Sequence, residues 1–373
     1  MKSKVAYVIS DVDRWMSFEW IRENLSAQNV DIYFYTLSSN RGFFDNYLAE
    51  TNSPHHWIRC KGKLHIIKAI IILWAHFIKY RFDVVHCHFL NASICGLTAA
   101  RMSGIKQRIY TRHHSTFHHL FAKKGVFIDK YCNYLASEIV AISKVVKQVL
   151  IEYEGVRNNK IVMINHGFNF QVLRRVYPDR INAMKDKYSL NSTSIVGVIS
   201  RFIEWKGVQY IIPAFKKYLE KFPDAILILV NARGPYEPDI LAKLKGLEPD
   251  SYRLIPFEND IFTLMQTFDY FVHVPVDSKV EAFGQVYVEA LALGIPSVFT
   301  ISGIAHEFIE HKSNAMIVEP KNHDAINEAL IQLSQEPTLR QKISEQGVRD
   351  VTKQFDFEAM AKDLEHLYTC PRA

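Results

Sequence analysis

Short apolar runs alternate with helical patterns along the whole chain, and this alternation constrains the fold more than any other feature. Each run has four to eight residues, the length of a strand buried on both faces of a parallel sheet. The pattern predicts an α/β fold with two Rossmann-like, doubly wound domains. The runs lie at 5–10, 30–37, 83–88, 107–111, 139–142, 161–164, 195–200, 225–230, 252–255, 270–274, 297–300 and 315–318.

A polar stretch after the sixth run marks the boundary between the domains. We place the first domain at residues 1–168 and the second at 178–354, where the pattern of strands and helices starts again. A chain of 373 residues is long enough for two domains of this size. Because ligands bind at the carboxyl ends of the strands in such sheets, we expect the two domains to face a central cleft.

The charge is distributed unevenly between the two halves. Residues 1–168 hold 22 Lys and Arg against 12 Asp and Glu, together with 11 of the 16 His, whereas residues 169–373 carry a net charge of −4. A net charge of +10 on the first half favours an anionic partner: a membrane, a phosphorylated lipid or a nucleic acid. No recognisable nucleic-acid-binding motif accompanies this charge, so we expect no nucleic-acid partner.

The cysteines and the apolar segments of the sequence indicate the cellular compartment in which we expect the protein. Five widely spaced cysteines without a Cys-x-x-Cys pair argue against a disulfide framework or a zinc ribbon and fit reduced thiols in the cytoplasm. The N-terminus has no signal-peptide pattern. The longest apolar stretch, 64–78, is interrupted by His65, Lys68 and His76 and is too short to span a bilayer. We expect it to form a buried crossover helix.

Two cations follow the first strand of the second domain. Arg201 and Lys206 lie five residues apart in a loop that opens a helix, and a helix N-terminus favours an anion. A charge-assisted hydrogen bond contributes about 1.5–3 kcal/mol, against about 0.3–1 kcal/mol for the helix dipole. The pair therefore fits a diphosphate, with two solvated surface charges as the alternative.

A second motif, EAFGQVYVE, places two carboxylates eight residues apart around a glycine. We predict Glu281 in a loop and Glu289 one turn inside the next helix. Gly284 lets a ligand approach the backbone, where N–H groups at the helix start can contact phosphate or sugar oxygens. A carboxylate placed like that of Glu289 accepts hydrogen bonds from both hydroxyls of a ribose. An ordinary capped helix with an exposed glutamate is the alternative.

In this order and at these strand ends, the motifs resemble those of the family 4 glycosyltransferases, which have the two-domain GT-B fold. The resemblance covers most of the chain and implies that a C-terminal helix within 355–373 packs back on the first domain. It rests on Arg201, Lys206-Gly207 and Glu281-x7-Glu289 within EAFGQVYVEALALGIPSV, supported by DVVHCH at 83–88, IVAISKVVK at 139–147 and INHGF at 164–168.

The resemblance implies a donor site in the second domain and transfer with retained anomeric configuration. It also implies that no metal and no other cofactor is needed, because two cations neutralise the leaving diphosphate. Arg201 and Lys206 would bind that diphosphate, and Glu289 would bind the ribose. The transferred sugar would contact Glu281, which is also a catalytic candidate, and the backbone of three residues: Phe283, Gly284 and Gln285.

The histidines of the first domain supply the other catalytic candidate. The run 107–111 leads into RHHSTFHH, and the family commonly has a His at this point, near the reacting sugar. His113 is the first choice and His114 the second, for a hydrogen bond to a sugar hydroxyl or for proton movement. A zinc site in this cluster is less favoured, because no Cys or carboxylate completes a recognisable ligand spacing. We interpret His86 and His88 as structural.

The pattern Asp11-Val12-Asp13 is similar to the metal-binding DxD motif of the other glycosyltransferase fold. We reject that function for it, because the pattern follows the first strand of a GT-B-like domain. So short a pattern also arises easily by chance in a chain with 39 acidic residues.

The expected function is retaining transfer of a hexosyl group from a nucleotide-sugar, UDP-linked first and GDP-linked next. The acceptor would be a glycan or a lipid-linked sugar in polysaccharide, lipopolysaccharide or glycolipid synthesis. A nucleotide-sugar 2-epimerase on the same fold is one alternative. The other is a non-catalytic basic protein that binds a membrane or a nucleic acid.

Acceptors in this family are often lipid-linked, so the resemblance implies that the protein works at a membrane surface. The basic and aromatic segments 57–63 and 117–127 favour peripheral contact between the first domain and the anionic inner face of the cytoplasmic membrane. A solvated basic surface is the alternative.

Overall fold

Two parallel sheets organise the chain, one in each of two structural units. A computed structural model of the protein describes residues 2–12, 16–25 and 29–370. Unit 1 comprises residues 1–168 and 357–373, and unit 2 comprises residues 169–356. Residues 169–177, which the sequence left between the two predicted domains, therefore belong to unit 2.

The sheet of unit 1 contains β1 (Ser3–Ser10), β2 (Val30–Ser38), β3 (His55–Arg59), β4 (Val84–His88), β5 (Gln107–Arg112), β6 (Glu138–Ala141) and β7 (Ile161–Met163). All neighbouring strands are parallel, in the order β3-β2-β1-β4-β5-β6-β7. The central strand β1 is apolar on both faces because helices cover both sides of the sheet, and its residues 5–9 are at most 1% exposed.

The helices of unit 1 that precede the second unit are α1 (Met16–Asn24), α2 (Phe43–Glu50), α3 (Lys63–Tyr80), α4 (Leu90–Met102), α5 (Phe117–Phe121), α6 (Lys123–Leu135) and α7 (Lys144–Glu152). The sequence also shows a helical pattern from about Ser17 to Ala27, which corresponds to α1. Ala27, like Asp13 of the acidic pattern near the N-terminus, lies outside the described residues.

The sheet of unit 2 contains β8 (Ile195–Ile199), β9 (Ile226–Val230), β10 (Tyr252–Ile255), β11 (Tyr270–His273), β12 (Ser297–Phe299) and β13 (Met316–Ile317). Its helices are α8 (Phe170–Leu173), α9 (Pro178–Tyr188), α10 (Val208–Leu219), α11 (Glu237–Leu244), α12 (Ile261–Met265), α13 (Gln285–Ala292), α14 (His323–Gln335) and α15 (Pro337–Gln354).

The strand order of unit 2 places a switch point beside its first strand. The order is β10-β9-β8-β11-β12-β13, so the chain builds the sheet outwards from β8 in one direction and then from β11 in the other. The loops that follow β8 and β11 diverge at this point, which is where open α/β sheets bind ligands. The two parallel sheets confirm the predicted α/β class with two doubly wound units.

The last helix, α16 (Phe357–Thr369), returns to unit 1 and packs against α1, β1 and β2. It buries an apolar face that includes Leu364, Leu367 and Tyr368. The Tyr368 hydroxyl also lies 2.6 Å from Nδ1 of His86 on β4. Unit 1 is therefore built from two segments that are distant in sequence.

Helix α3 differs from the expectation of a buried helix, because only one side of it is covered. Ala69, Leu73 and Phe77 face the interior. The opposite side exposes five large apolar side chains at a helical spacing: Leu64, Ile67, Ile71, Trp74 and Ile78. Among the residues that the structure describes, no helix combines the length and the apolar character needed to cross a membrane.

Replacing Leu364 by Ala should destabilise unit 1, because the side chain is 4% exposed and its removal leaves a cavity under α16. We expect a loss of about 2–4 kcal/mol in the free energy of unfolding, seen as a lower Tm. Lys362→Ala, at an exposed position of the same helix, is the matched control. Equal effects of the two substitutions would contradict the packing of α16 described above.

Candidate active site

The loops after β8 and β11 are held together by their backbones. Gly207 has a φ of +77°, and a Cβ at this position would lie 1.8 Å from the carbonyl oxygen of Val274. The backbone N–H of Val276 also donates to the carbonyl oxygen of Trp205 at 2.9 Å. A side chain at Gly207 would separate the two loops, so the glycine after Lys206 is a steric requirement.

This contact brings together two of the predicted donor-binding residues. Lys206 Nζ lies 2.5 Å from Oε1 of Glu281, and Nε2 of His273, the last residue of β11, lies 3.2 Å from the same oxygen. Burial alone would raise the pKa of the Glu281 carboxyl, but the Lys206 ammonium and the hydrogen bond from His273 lower it to about 2. Glu281 is therefore a carboxylate at neutral pH. Burial lowers the pKa of His273, so its imidazole is neutral.

The loop after β12 fixes the backbone of Glu281. Its N–H donates to Oγ of Ser302 at 3.2 Å, and the Ser302 hydroxyl donates to the carbonyl oxygen of Asp277 at 2.8 Å. Gly303 packs against Glu281, since a Cβ at Gly303 would come within 2.9 Å of the Glu281 Cβ. Glu281 is thus positioned by loops from two neighbouring strands.

The backbone predicted to contact the sugar surrounds the start of α13. Gly284, with a φ of +84°, occupies the N-cap position, where a Cβ would clash with the ring of Tyr287 at 2.6 Å. The Phe283 ring is buried and packs edge-on against Phe355. The N–H of Tyr287 donates to the carbonyl oxygen of Gly284 at 3.1 Å. The N–H groups of the two residues before it, Gln285 and Val286, have no acceptor in a preceding turn of the helix.

Glu289 and Arg201 differ from Lys206 and Glu281 in having no partner within the described part of the chain. Arg201 is exposed, and its side chain makes no ion pair or hydrogen bond there. The Glu289 side chain is half-buried on α13 and likewise makes none. Burial raises the pKa of the Glu289 carboxyl to about 7. Two polar groups predicted to bind donor are thus available to a ligand.

His113, the catalytic candidate of unit 1, follows β5 and lies among aromatic rings. Its Nε2 is 3.1 Å from Nδ1 of His88, and its ring stacks between those of Phe89 and His166 at centroid distances of 4.4 and 5.5 Å. These histidines line a cavity together with Tyr7. Burial lowers the pKa of His113, so the imidazole is neutral at pH 7, with one ring nitrogen a donor and the other an acceptor.

Two other histidines of unit 1, His86 and His114, have different surroundings. His86 is fully buried and bonded on both ring nitrogens, to the hydroxyls of Tyr368 and Thr111 at 2.6 and 2.8 Å. His114, the second choice for the sugar contact, lies instead 3.1 Å from the carboxylate of Asp129. Asp129 stands fifteen positions after His114, a spacing that the sequence did not identify as significant.

Sequence reasoning missed two side chains that lie at the predicted donor site. His273 ends a buried strand beside the predicted site, and that position was the available signal. Trp205 lies under the ammonium of Lys206, 4.5 Å from Nζ to the ring centroid. Its place between two predicted site residues could have drawn attention to it, since cations favour aromatic faces.

Two family models match consecutive parts of the chain. The model described as Glycosyltransferase Family 4 covers residues 21–172, and that of Glycosyl transferases group 1 covers residues 180–350. The chain belongs to glycosyltransferase family 4. Membership supports glycosyl transfer as the activity of this family 4 protein.

Individual relatives and structures agree with this assignment. The capsular polysaccharide biosynthesis glycosyltransferase CapM of Staphylococcus aureus is 24% identical over 93% of this chain and 91% of CapM. The alpha-monoglucosyldiacylglycerol synthase of Acholeplasma laidlawii is 23% identical over 93% of this chain and 91% of the synthase. The crystal structure of Anabaena HepE in complex with UDP and glucose matches with a TM-score of 0.83 at 19% identity, covering 99% of this chain and 100% of HepE. The last likeness shows a common GT-B fold.

Replacing Glu289 by Gln should stabilise this family 4 protein at alkaline pH. The unfolded carboxyl ionises near its usual pKa of 4.5, whereas the native one ionises near 7, so the native state binds more protons between these values. Stability therefore falls as pH rises through this interval. We expect Glu289→Gln to raise the free energy of unfolding at pH 8 by up to about 3 kcal/mol and to change it little at pH 4.

Thermal unfolding at the two pH values measures this effect. Glu328→Gln, at an exposed position of α14, should leave Tm unchanged at both. A Glu289→Gln protein that is less stable than the unaltered one at pH 8 would show that the carboxylate has a stabilising partner.

Proposed function

We propose that this glycosyltransferase transfers a hexosyl group from a UDP-sugar to a glycan or lipid-linked acceptor, with retention of anomeric configuration. The observation that carries the proposal is the arrangement at the switch point of unit 2. There an ion-paired lysine, a buried carboxylate and the start of a helix lie together. A nucleotide diphosphate is bound by cations and N–H groups, which this lysine and the start of the helix supply. The complex of HepE with UDP and glucose supports a UDP-linked donor over a GDP-linked one.

The diphosphate would be bound by Arg201, Lys206 and the first N–H groups of α13. Arg201 is exposed and has no partner among the described residues, so binding an anion breaks no existing contact of its side chain. Lys206 can contact Glu281 and a phosphate oxygen together, because an ammonium has three donors. Each such charge-assisted bond contributes about 1.5–3 kcal/mol. With two cations at the leaving group, this transfer would need no metal ion.

The ribose would be bound by Glu289, whose carboxylate accepts hydrogen bonds from two hydroxyls. In the free protein this half-buried side chain has no partner in the described part of the chain, and the pKa of its carboxyl is raised to about 7. Two hydrogen bonds to the ionised form would lower that pKa again. The position of the Glu289 carboxyl is unfavourable in the free protein, and the hydrogen bonds that a bound ribose supplies would explain why it is placed there.

Glu281 would position the sugar and stabilise the positive charge that develops on its anomeric carbon. Its carboxylate is already bonded to Lys206 and His273, and its pKa of about 2 makes it a weak base and a weak nucleophile. We therefore assign the chemistry to the substrates. The bond from the anomeric carbon to the diphosphate breaks, the acceptor oxygen forms its bond on the same face, and a diphosphate oxygen takes the acceptor proton.

His113 would hydrogen-bond a hydroxyl of the reacting sugar. A neutral imidazole suits this task, since it can accept from a hydroxyl with one nitrogen while the other is bonded elsewhere. His88 at 3.1 Å is positioned to fix the orientation of the ring.

The acceptor class follows from the relatives. CapM is named for capsular polysaccharide and the Acholeplasma synthase for a glucosyl diacylglycerol, so both names point to glycans or lipids. The exposed apolar side of α3 supports a membrane-associated acceptor. It lies beside four exposed cations: Lys63, Lys68, Lys79 and Arg81. We propose peripheral contact of this side with the anionic inner face of the cytoplasmic membrane, at about 1 kcal/mol per cation.

Replacing Arg201 by Met should abolish most of the transfer without affecting the fold, because the side chain has no partner to lose. We expect kcat/KM for a UDP-hexose to fall about 10²-fold or more, as for loss of a group that stabilises a leaving charge. Glu289→Gln should lose activity while gaining stability. Lys221→Met, at an exposed position away from these loops, is the control. The reaction rate is measured from the UDP formed, and the anomeric configuration of the product is determined by NMR.

Three results would contradict the proposal: full activity in Arg201→Met, a product of inverted configuration, or conversion of the UDP-sugar in the absence of any acceptor. The last would instead support a 2-epimerase. Loss of activity in Lys221→Met would show that a general effect of charge is being measured.

Replacing Ile71 by Glu should weaken binding to vesicles that contain phosphatidylglycerol. Ile71 is 54% exposed at the middle of the apolar side of α3, and losing one buried side chain of this size reduces affinity about tenfold or more. Leu241→Glu, at a half-exposed apolar position of unit 2, is the control for added charge. Vesicle sedimentation measures both. Equal binding of the two variants would exclude α3 as the membrane contact.

A further inference from the structure

A cluster of side chains in unit 1 has ligand chemistry that the proposed transfer does not use. His114 follows β5, His118 lies in α5 and Asp129 lies in α6. His114 Nε2 is 3.1 Å from each oxygen of the Asp129 carboxylate, and His118 Nδ1 is 2.6 Å from Oδ2. One ligand atom from each residue lies within 4.8 Å of the others.

We propose that His114, His118 and Asp129 bind a divalent metal ion, Zn²⁺ by the chemistry of its ligands, with water completing the coordination. Two imidazole nitrogens and one carboxylate oxygen suit Zn²⁺ and its first-row neighbours better than Mg²⁺ or Ca²⁺, which prefer oxygen. Ligand atoms about 2.0–2.2 Å from a tetrahedral ion lie roughly 3.3–3.5 Å apart. His114 would therefore need to move away from the Asp129 carboxylate by roughly 0.2–0.4 Å and His118 by roughly 0.7–0.9 Å.

The charges around the cluster favour a bound cation. Asp129 and Glu154 are carboxylates with side chains 2% and 0% exposed, and both pair with one guanidinium, that of Arg112. Within the described residues, the remaining side chains bonded to Asp129 are the two histidines. One buried negative charge is thus left without a fixed cation. A buried charge without compensation is costly, and a metal ion supplies the compensation.

Steric and hydrogen-bonding features position two of the ligands. A Cβ on Gly125, in the first turn of α6, would lie 2.6 Å from the ring of His118. Glycine inside a helix costs about 1 kcal/mol relative to alanine, so this glycine is explained by the room it leaves for the imidazole. Arg112 Nη2 donates to Asp129 Oδ2 at 3.0 Å, and carboxylates that bind metals are commonly supported by such hydrogen bonds.

A path to the site exists. His114, His118 and Asp129 border one cavity, and the side chain of His114 is 26% exposed. The cavity leaves space for a water ligand. An ion here would connect the loop that carries His113 to α6, so its role is structural. It is separate from the donor diphosphate, and failure of this proposal leaves the proposed transfer unaffected.

Metal analysis of the full-length protein tests the site. After treatment with a chelator and addition of ZnCl₂, we expect about one Zn²⁺ per chain and a Tm raised by Zn²⁺ but unchanged by Mg²⁺ or Ca²⁺. His114→Gln and His118→Gln should each lose both the bound ion and the shift in Tm. His65→Gln, at a histidine on α3, should retain both. Gly125→Ala should weaken binding, because it displaces the His118 ring.

Co²⁺ added to the unaltered protein gives an independent measurement should a variant fail to fold, as judged by circular dichroism. A visible absorption spectrum of tetrahedral Co²⁺ with nitrogen and oxygen ligands is expected, and Zn²⁺ should abolish it by competition. Absence of Zn²⁺ binding, or unchanged binding in both histidine variants, would overturn the proposal.

Discussion

The ion pair between Lys206 and Glu281 depends on the close approach of two loop backbones, and the rest of the proposed donor site is arranged around it. Gly207 permits the approach, since any Cβ there would overlap the carbonyl oxygen of Val274. With the loops in contact, the ammonium keeps the pKa of the buried carboxyl near 2 despite the opposing effect of burial. A pair bonded in this way is pre-organised for a charged ligand, because its orientation is fixed before binding.

Burial has opposite consequences for the two glutamates of the same motif. Glu281 has two bonded neighbours and stays ionised, whereas Glu289 has none in the described chain and its pKa rises to about 7. The ionised form of Glu281 is stabilised without ligand, whereas the ionised form of Glu289 is not. Functional sites commonly contain such a group, because the ligand later supplies the missing hydrogen bonds. In unit 1, Asp129 and Glu154 share the one guanidinium of Arg112, so the charge of one carboxylate is left for a bound ion to balance.

Much of the fold could be predicted from local pattern. Strands buried on both faces, such as residues 195–199, need continuous apolar sequence, so their positions were apparent to within a residue or two. Strand β3, with the sequence HHWIR, was missed because an edge strand is partly exposed and need not be apolar. Helix α3 was expected to be buried all round, but apolar composition cannot tell which side of a helix will be covered.

The sequence by itself determined the α/β class, the order of the motifs and the residue types of the proposed donor site, because strand length, glycine placement and charge spacing are local properties. Only the tertiary structure decided which groups meet. It paired Lys206 with Glu281 across 75 positions, added His273 to them, and brought Asp129 to His114 and His118. The pKa values of these groups depend on burial and on neighbours from other strands and helices, so no spacing along the chain could have revealed them.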